Sequence, residues 1–274
     1  MGVTLNLRPF AWATLVANCM LVVTGGAVRL TGSGLGCPTW PRCTDESFTP
    51  HGALTMHSAI EFGNRMLTFV LVAVAVLTFL SALQSKRGEL IRLSVVLALG
   101  IPAQAVIGGI TVLTDLNPWI VSFHLICSLA IISLAVVYLW RIDGRLPRPA
   151  PLAWAMYAAV WVVLYIGTIV TGSGPHAGDA DSPRNGLDPL QWSQLHADAV
   201  FLFLGLVVAL VLVYRTRVAG LLLAVTLGQG AIGFVQYFTD LPIILVGTHM
   251  LGAAVLIAVA TQALLVHQQK VQPA

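Results

Sequence analysis

Charge is what this sequence lacks most. Only 9% of its 274 residues are Asp, Glu, Lys or Arg, where a soluble domain carries roughly a quarter. Such scarcity excludes a soluble globular fold. The 14 basic and 11 acidic residues leave a net charge of +3, and the basic ones are scattered, which excludes the electrostatic footprint of a nucleic-acid binder. Cysteine is equally sparse, at four. Cys19 and Cys127 stand singly in apolar runs, and only Cys37 and Cys43, in GCPTWPRC, sit together in a polar stretch. No second Cys or His pair of finger spacing follows, so a zinc site lacks half its ligands. An oxidising compartment favours a disulfide there, structural or reversible. The N-terminus lacks the small-residue cleavage site of a secretory signal, and its apolar run is read as a retained spanning helix.

What is abundant is apolar residues, at 57%. Eight spanning helices of about 20 residues would occupy about 160 positions, close to that fraction. Runs of spanning length fall at 10–28, 62–83, 90–113, 119–140, 152–171, 196–214, 218–238 and 242–266. They predict an all-α polytopic membrane protein embedded in the lipid bilayer. Two connections are long, 29–61 and 172–195, and rich in Gly, Pro and Ser, the kind of loop in which chemistry outside the bilayer sits. Ten basic residues, among them Arg8, Arg87, Arg141, Arg215 and Lys270, share one side, against Arg29, Arg42, Arg65 and Arg184 on the other. The positive-inside rule places the first side and both termini in the cytoplasm, with the long loops outside a cell membrane.

The chain repeats itself. QAVIGGITVLTDLNPWIVSFH, ending at His124, and QGAIGFVQYFTDLPIILVGTH, ending at His249, share Gln, Ile-Gly, Thr-Asp-Leu and His at identical spacing. Thr31-Gly-Ser-Gly34 is echoed by Thr171-Gly-Ser-Gly174. The unit is therefore four helices long and duplicated. Because four is even, the two copies enter the membrane in the same direction, and equivalent residues lie at equal depth. The expected architecture is two parallel-repeat four-helix bundles, 1–148 and 149–274.

His57, His124, His196 and His249 fall at or near the outer starts of helices 2, 4, 6 and 8. His196 and His249, on helices that can face each other within one bundle, suit the two axial positions of a heme iron. A lone intramembrane histidine is as well explained by packing against a carbonyl, but its repetition in a duplicated unit favours a ligand. In the first half, Asn64 of Glu61-Phe-Gly-Asn64-Arg65 stands where the partner of His124 is expected. His57, two turns earlier, shares that face if the helix extends outward; a solvated loop histidine is the other reading, and both stay open. Glu61 is either a desolvated carboxylate at the membrane edge or a surface partner of Arg65. Arg29, Arg65 and Arg184 are partners for heme propionates or interfacial anchors. Gln104 and Gln229 are expected to bond between helices.

VRLTGSGLGCPTWPRC, IEFGNR, SFHL, TGSGPHAGD, QLHAD and GTHM, in that order on an eight-helix duplicated frame, resemble the heme A synthases, membrane enzymes that convert heme O to heme A for terminal oxidases. Glu-Phe-Gly-Asn-Arg opening helix 2 resembles an actinobacterial-like type. The resemblance implies a C-terminal half holding heme b through His196 and His249, and an N-terminal half binding heme O with His124 as a ligand. It implies a catalytic role for Glu61 and a redox or substrate-handling role for Cys37 and Cys43. The implied reaction, by an oxidoreductase, turns the C8 methyl of heme O into a formyl group. Heme O synthase, a quinone or other electron acceptor, and a second copy of the chain are the partners it suggests. Many members have Glu-x-x-His-Arg where this chain has Asn64, and some carry a second cysteine pair that GSGPHAGDADSPRNG lacks. Two rivals are a quinone-linked diheme b-type electron carrier, which needs two stable ligands in each half, and a heme exporter, which leaves the matched histidines unexplained.

Overall fold

A computed structural model describes residues 5–50, 55–145 and 148–268. Lys270, counted above with the basic residues, and residues 51–54 of the first long loop lie outside them. Eight helices form among the described residues: α1 (Leu7–Leu30), α2 (Met56–Ser85), α3 (Gly88–Leu113), α4 (Pro118–Ile142), α5 (Pro151–Ser173), α6 (Pro189–Tyr214), α7 (Arg217–Phe238) and α8 (Ile243–Val266). Each is long and apolar enough to cross a membrane, and in hydrocarbon a helix satisfies its backbone groups within itself.

Their starts are written in the sequence. Asn6, Thr55, Asn117, Asp188 and Thr216 each accept a backbone N–H from the first turn of their helix, and proline occupies the first turn of α4, α5 and α6, where its missing N–H costs nothing. Two helices begin more than a turn before their apolar runs. α2 starts at Met56 and α6 at Pro189, which shortens the two long loops and places Glu61 and His196 inside helices. Their first turns are polar, so hydropathy alone misses them.

The repeat is conformational as well as textual. The Thr-Asp-Leu turns put Asp115 and Leu116, and again Asp240 and Leu241, at φ between 52° and 59°, where side-chain-bearing residues rarely sit. Each turn is held by a matching bond, from the Leu116 N–H to the Thr111 carbonyl and from the Leu241 N–H to the Gln236 carbonyl.

Helix contacts close two squares, α1–α2–α3–α4 and α5–α6–α7–α8. The squares join through α1 on α8, α4 on α5 and α4 on α8, the pattern a two-fold repeat requires. The seam is apolar, with Ile132, Met156, Val160, Ile257 and Ala260 fully buried. A polar triad helps pin it: Ser133 Oγ lies 2.6 Å from the Tyr157 hydroxyl and accepts from Thr261 Oγ1 at 2.9 Å. At the arginine-rich end Arg8 pairs with Asp143 and Arg141 with Glu89. Arg87 donates to the carbonyls of Arg141 and Ile142 at 2.6 Å, capping α4.

Candidate heme sites

The matched histidines come to matched places. His124 is the seventh residue of α4 and His249 the seventh of α8, while Asn64 and His196 lie in the third turns of α2 and α6. In each square the facing pair belongs to diagonal helices. His249 lies within electrostatic reach of His196.

Each imidazole packs against a glycine of the preceding helix. A Cβ would fall 3.4 Å from His124 Cε1 at Gly108, 3.1 Å from His196 Cε1 at Gly167 and 3.5 Å from His249 Cε1 at Gly233. Gly108 and Gly233 are the glycines of the repeated Ile-Gly; Gly167 has no repeated signature and escapes a reading of the sequence. The Nδ1 atoms of all three histidines are buried without a partner, as is Asn64 Oδ1. Buried polar groups are rarely orphaned, so three histidines that each keep an unpaired nitrogen inside the protein fit residues that take a ligand. Among the described residues no group of three or more His, Cys, Asp or Glu side chains is arranged to hold a bare metal ion. Iron bound in a macrocycle, which brings four ligands of its own, asks the protein for only one or two.

The first bundle encloses a cavity of ≈ 290 Å³ lined by residues of all four of its helices, including Glu61, Asn64, Gln104 and His124. Arg29 and Arg65 border it, as do Ala177 and Gly178 from the second half's loop and Met250 of α8. Met250 follows His249 directly and reaches across the seam to Gly26, where a Cβ would lie 3.0 Å from its sulfur. Gln104 corrects an expectation. Both its side-chain polar atoms are buried without a partner, so it faces the cavity rather than bonding to a neighbouring helix. Gln229 abuts Gly252 of α8 so tightly that no Cβ would fit there.

Glu61 is only 5% exposed, which removes the surface reading, yet it is paired with Arg65. Arg65 Nη2 donates to Glu61 Oε1 at 2.6 Å, and the Cys37 N–H donates to Glu61 Oε2 at 2.6 Å. Arg65 Nε also donates to Glu61 Oε1 at 3.2 Å, and its Nη1 and Nη2 donate to the carbonyls of Cys37, Thr39 and Arg42. The pair therefore grips the ring closed by the Cys37–Cys43 disulfide (S–S 1.98 Å). That ring presents Trp40 to the cavity, with its indole in a notch at Gly109, where a Cβ would fall 2.3 Å from it. The repeat-related residue in α7 is Phe234. Neither Trp40 nor Gly109 stood out in the sequence, although an aromatic inside a small cysteine ring is a signal that could have found them.

Arg29 is tied to the second half's loop, with Nε donating to the His176 carbonyl at 2.6 Å and Nη2 to the Thr171 carbonyl at 2.9 Å. Arg184 donates to the carbonyls of Ser182 and Pro175 within its own loop. His57 lies in the first turn of α2, exposed, with Nδ1 3.0 Å from Ser33 Oγ, and is not among the residues that border the cavity. Cys19 and Cys127 are free and half-buried. Asp198 accepts from Gln194 on an exposed face of α6.

Fold and site together define a class: a multi-pass membrane protein of two repeated four-helix bundles, with one inward histidine near one end of the first and a facing pair at the matching level of the second. A family of that kind matches by sequence. The chain belongs to the COX15-CtaA family, described as cytochrome oxidase assembly protein, whose profile matches residues 8–59 and 54–181. It is similar to the heme A synthase of Geobacillus thermodenitrificans, 26% identical over 145 residues, which cover 51% of this chain and 45% of the relative. The heme A synthase of Bradyrhizobium sp. (strain BTAi1) is 29% identical over 208 residues, 59% of this chain and 56% of that protein. That of Listeria monocytogenes is 34% identical over 143 residues, 49% and 46%. The chain spans about half the length of the curated relatives it matches.

Proposed function

We propose that this protein is a heme A synthase, an oxidoreductase that converts the C8 methyl of heme O to a formyl group. One observation carries the reading: at one level of a duplicated fold, the second half sets His196 against His249, while the first sets Asn64 against His124, beside a buried Glu61 and a cavity. Two histidines suit a heme held permanently, and a single histidine suits one that must enter, react and leave. The names of the relatives supply the reaction that such a division serves.

In this reading residues 149–274 hold heme b between His196 and His249, and when bound it supplies one-electron transfer. Residues 1–148 take heme O on His124. Glu61 stabilises positive charge or moves a proton at the reacting edge. Arg65 fixes Glu61 and the disulfide ring, and Arg29, whose Nη1 donates to no carbonyl among the described residues, faces an acidic side group. The Cys37–Cys43 pair is itself buried and holds Trp40 over the cavity. His57 tethers the loop through Ser33. The arginine-rich end faces the cytoplasm. Heme O synthase is the natural donor, because so apolar a substrate crosses water poorly; water supplies the formyl oxygen, and a quinone-class acceptor takes the electrons and protons released.

The test is heme identity. The chain is expressed in a bacterial membrane with and without a source of heme O, and extracted hemes are separated by chromatography with mass detection. Heme A or a hydroxylated heme O is expected only when both are present. Heme b alone, with heme O unaltered, would instead make the protein a diheme-type electron carrier. His196→Ala and His249→Ala should each abolish the heme b absorbance.

A further inference from the structure

Repeated halves allow each position to be compared with its twin. Thr31 with Thr171, Asn64 with His196, and Gln104 with Gln229 set the register. Between the cavity and the arginine-rich end, the first bundle carries Thr14, Asn18, Thr78, Ser81, Ser94 and Tyr138. Their twins in the second bundle are Trp154, Ala158, Leu210, Val213, Ala219 and Ala263. All but Asn18 of the polar set are buried, and so are the twins Leu210, Ala219 and Ala263, while Trp154, Ala158 and Val213 are exposed. At Thr78, Ser94 and Tyr138 the same scaffold therefore closes with buried apolar side chains in the other half, and polar ones there are not required by the fold. Polar groups inside a membrane bundle are costly and mark pathways or sites.

The column also has space. Thr14, Asn18, Thr78 and Ser94 converge on a second cavity of ≈ 10 Å³, room for about one water molecule by the usual measure. Thr14 Oγ1 and Thr78 Oγ1 are 2.9 Å apart, Thr78 donates to the Val74 carbonyl and Ser94 to the Ile91 carbonyl, both at 2.8 Å. Hydroxyls whose protons are so engaged keep lone pairs for a water to donate to. Pro102 of α3 has no N–H to give the Ala98 carbonyl, which leaves that acceptor without its helical donor between Leu97 and Ile101, two more residues of this cavity. The twin of Pro102 is Leu227. Asn18, Leu71 and Ile101 border both cavities, so a single layer of side chains separates them. Below, Tyr138 sits fully buried beside Ser81. Above, Glu61 is held on its outer side by Cys37 and Arg65, and Trp40 covers the cavity.

We propose that this column is a water-bearing polar path that carries water and protons between the Glu61 cavity and the arginine-rich end. It rests on the column alone and holds whatever reaction the cavity hosts. The experiment is X-ray hydroxyl-radical footprinting of the full chain in lipid nanodiscs, in ¹⁸O-labelled water, read by mass spectrometry. Leu97, which borders only the small cavity, and Tyr138 should gain solvent oxygen, while Leu210 and Ile257 should not. Thr78→Leu, which imports the apolar twin, should lose the label at Leu97, and Thr78→Ser should restore it. Should Thr78→Leu fail to fold, Ser94→Ala imports the twin Ala219 and is read the same way. An unlabelled Leu97 in the unmodified chain, or a label that survives both substitutions, overturns the path.

Discussion

Glu61 shows how much one side chain can be asked to do. It belongs to α2, closes an ion pair with Arg65 and accepts the Cys37 amide, so the carboxylate nearest the cavity is also the anchor of the disulfide ring. Glu61→Gln keeps the shape, removes the charge and leaves one acceptor oxygen, so either the Arg65 or the Cys37 donor loses its partner. Conversion of heme O should fall by about 10²-fold or more if the carboxylate moves a proton, with the heme b absorbance unchanged; loss of that absorbance would show a structural role instead. Gly109 offers a second test at this scale. Gly109→Phe imports the repeat-related Phe234 and evicts the Trp40 indole from its notch, because a buried ring cannot share that space. Extracted-heme analysis should show heme b retained and heme A lost. His124 and His249 could be picked out from spacing alone, since a repeated residue in a repeated unit marks a shared environment. Trp40 could not, because periodicity reports the faces of helices and says nothing of where a loop docks.

At the scale of elements, apolar runs located all eight helices but misplaced the starts of α2 and α6. Their opening turns are polar, and the signals that do mark them, Thr55 and Asp188-Pro189, are caps rather than hydropathy. The far end of α8 is governed by a single residue. His267, just past Val266, is 2% exposed, with Nδ1 2.7 Å from the Ala263 carbonyl and Nε2 2.8 Å from Thr216 Oγ1. Its ring lies against Tyr214, and its own carbonyl accepts the Ala150 N–H that starts α5. Burial pushes its pKa below the usual histidine value, against a smaller opposing pull from the Ala263 carbonyl. The unfolded chain then binds more protons than the folded one as pH falls through the ordinary histidine range, near 6.5. Stability from this residue is fully present above that range and is lost below it. The thermal unfolding midpoint of the purified protein should fall on acidification, and its slope with pH should be shallower in His267→Phe.

For the whole molecule, the decisive contacts are those between halves. Arg29 of α1 reaches the carbonyls of Thr171 and His176, and the Gly34 N–H donates to the Gly178 carbonyl at 2.8 Å, so the second half's outer loop closes over the first half's cavity. Arg29→Met leaves two carbonyls without a charged donor, each such bond being worth about 1.5–3 kcal/mol. A lower unfolding midpoint is expected by thermal melting, with the heme b absorbance retained because His196 and His249 lie elsewhere.

The sequence by itself determined the membrane class, the eight helices, the duplication and the level of the histidines, because each follows from composition or from a period along one chain. Only the tertiary structure decided what faces what. It put both halves' loops over one cavity, committed the donors of Arg65 to the disulfide ring, turned His57 outward and seated Trp40 at Gly109. Those choices depend on which helices become neighbours and how closely their backbones approach, and no local pattern of side chains encodes that distance.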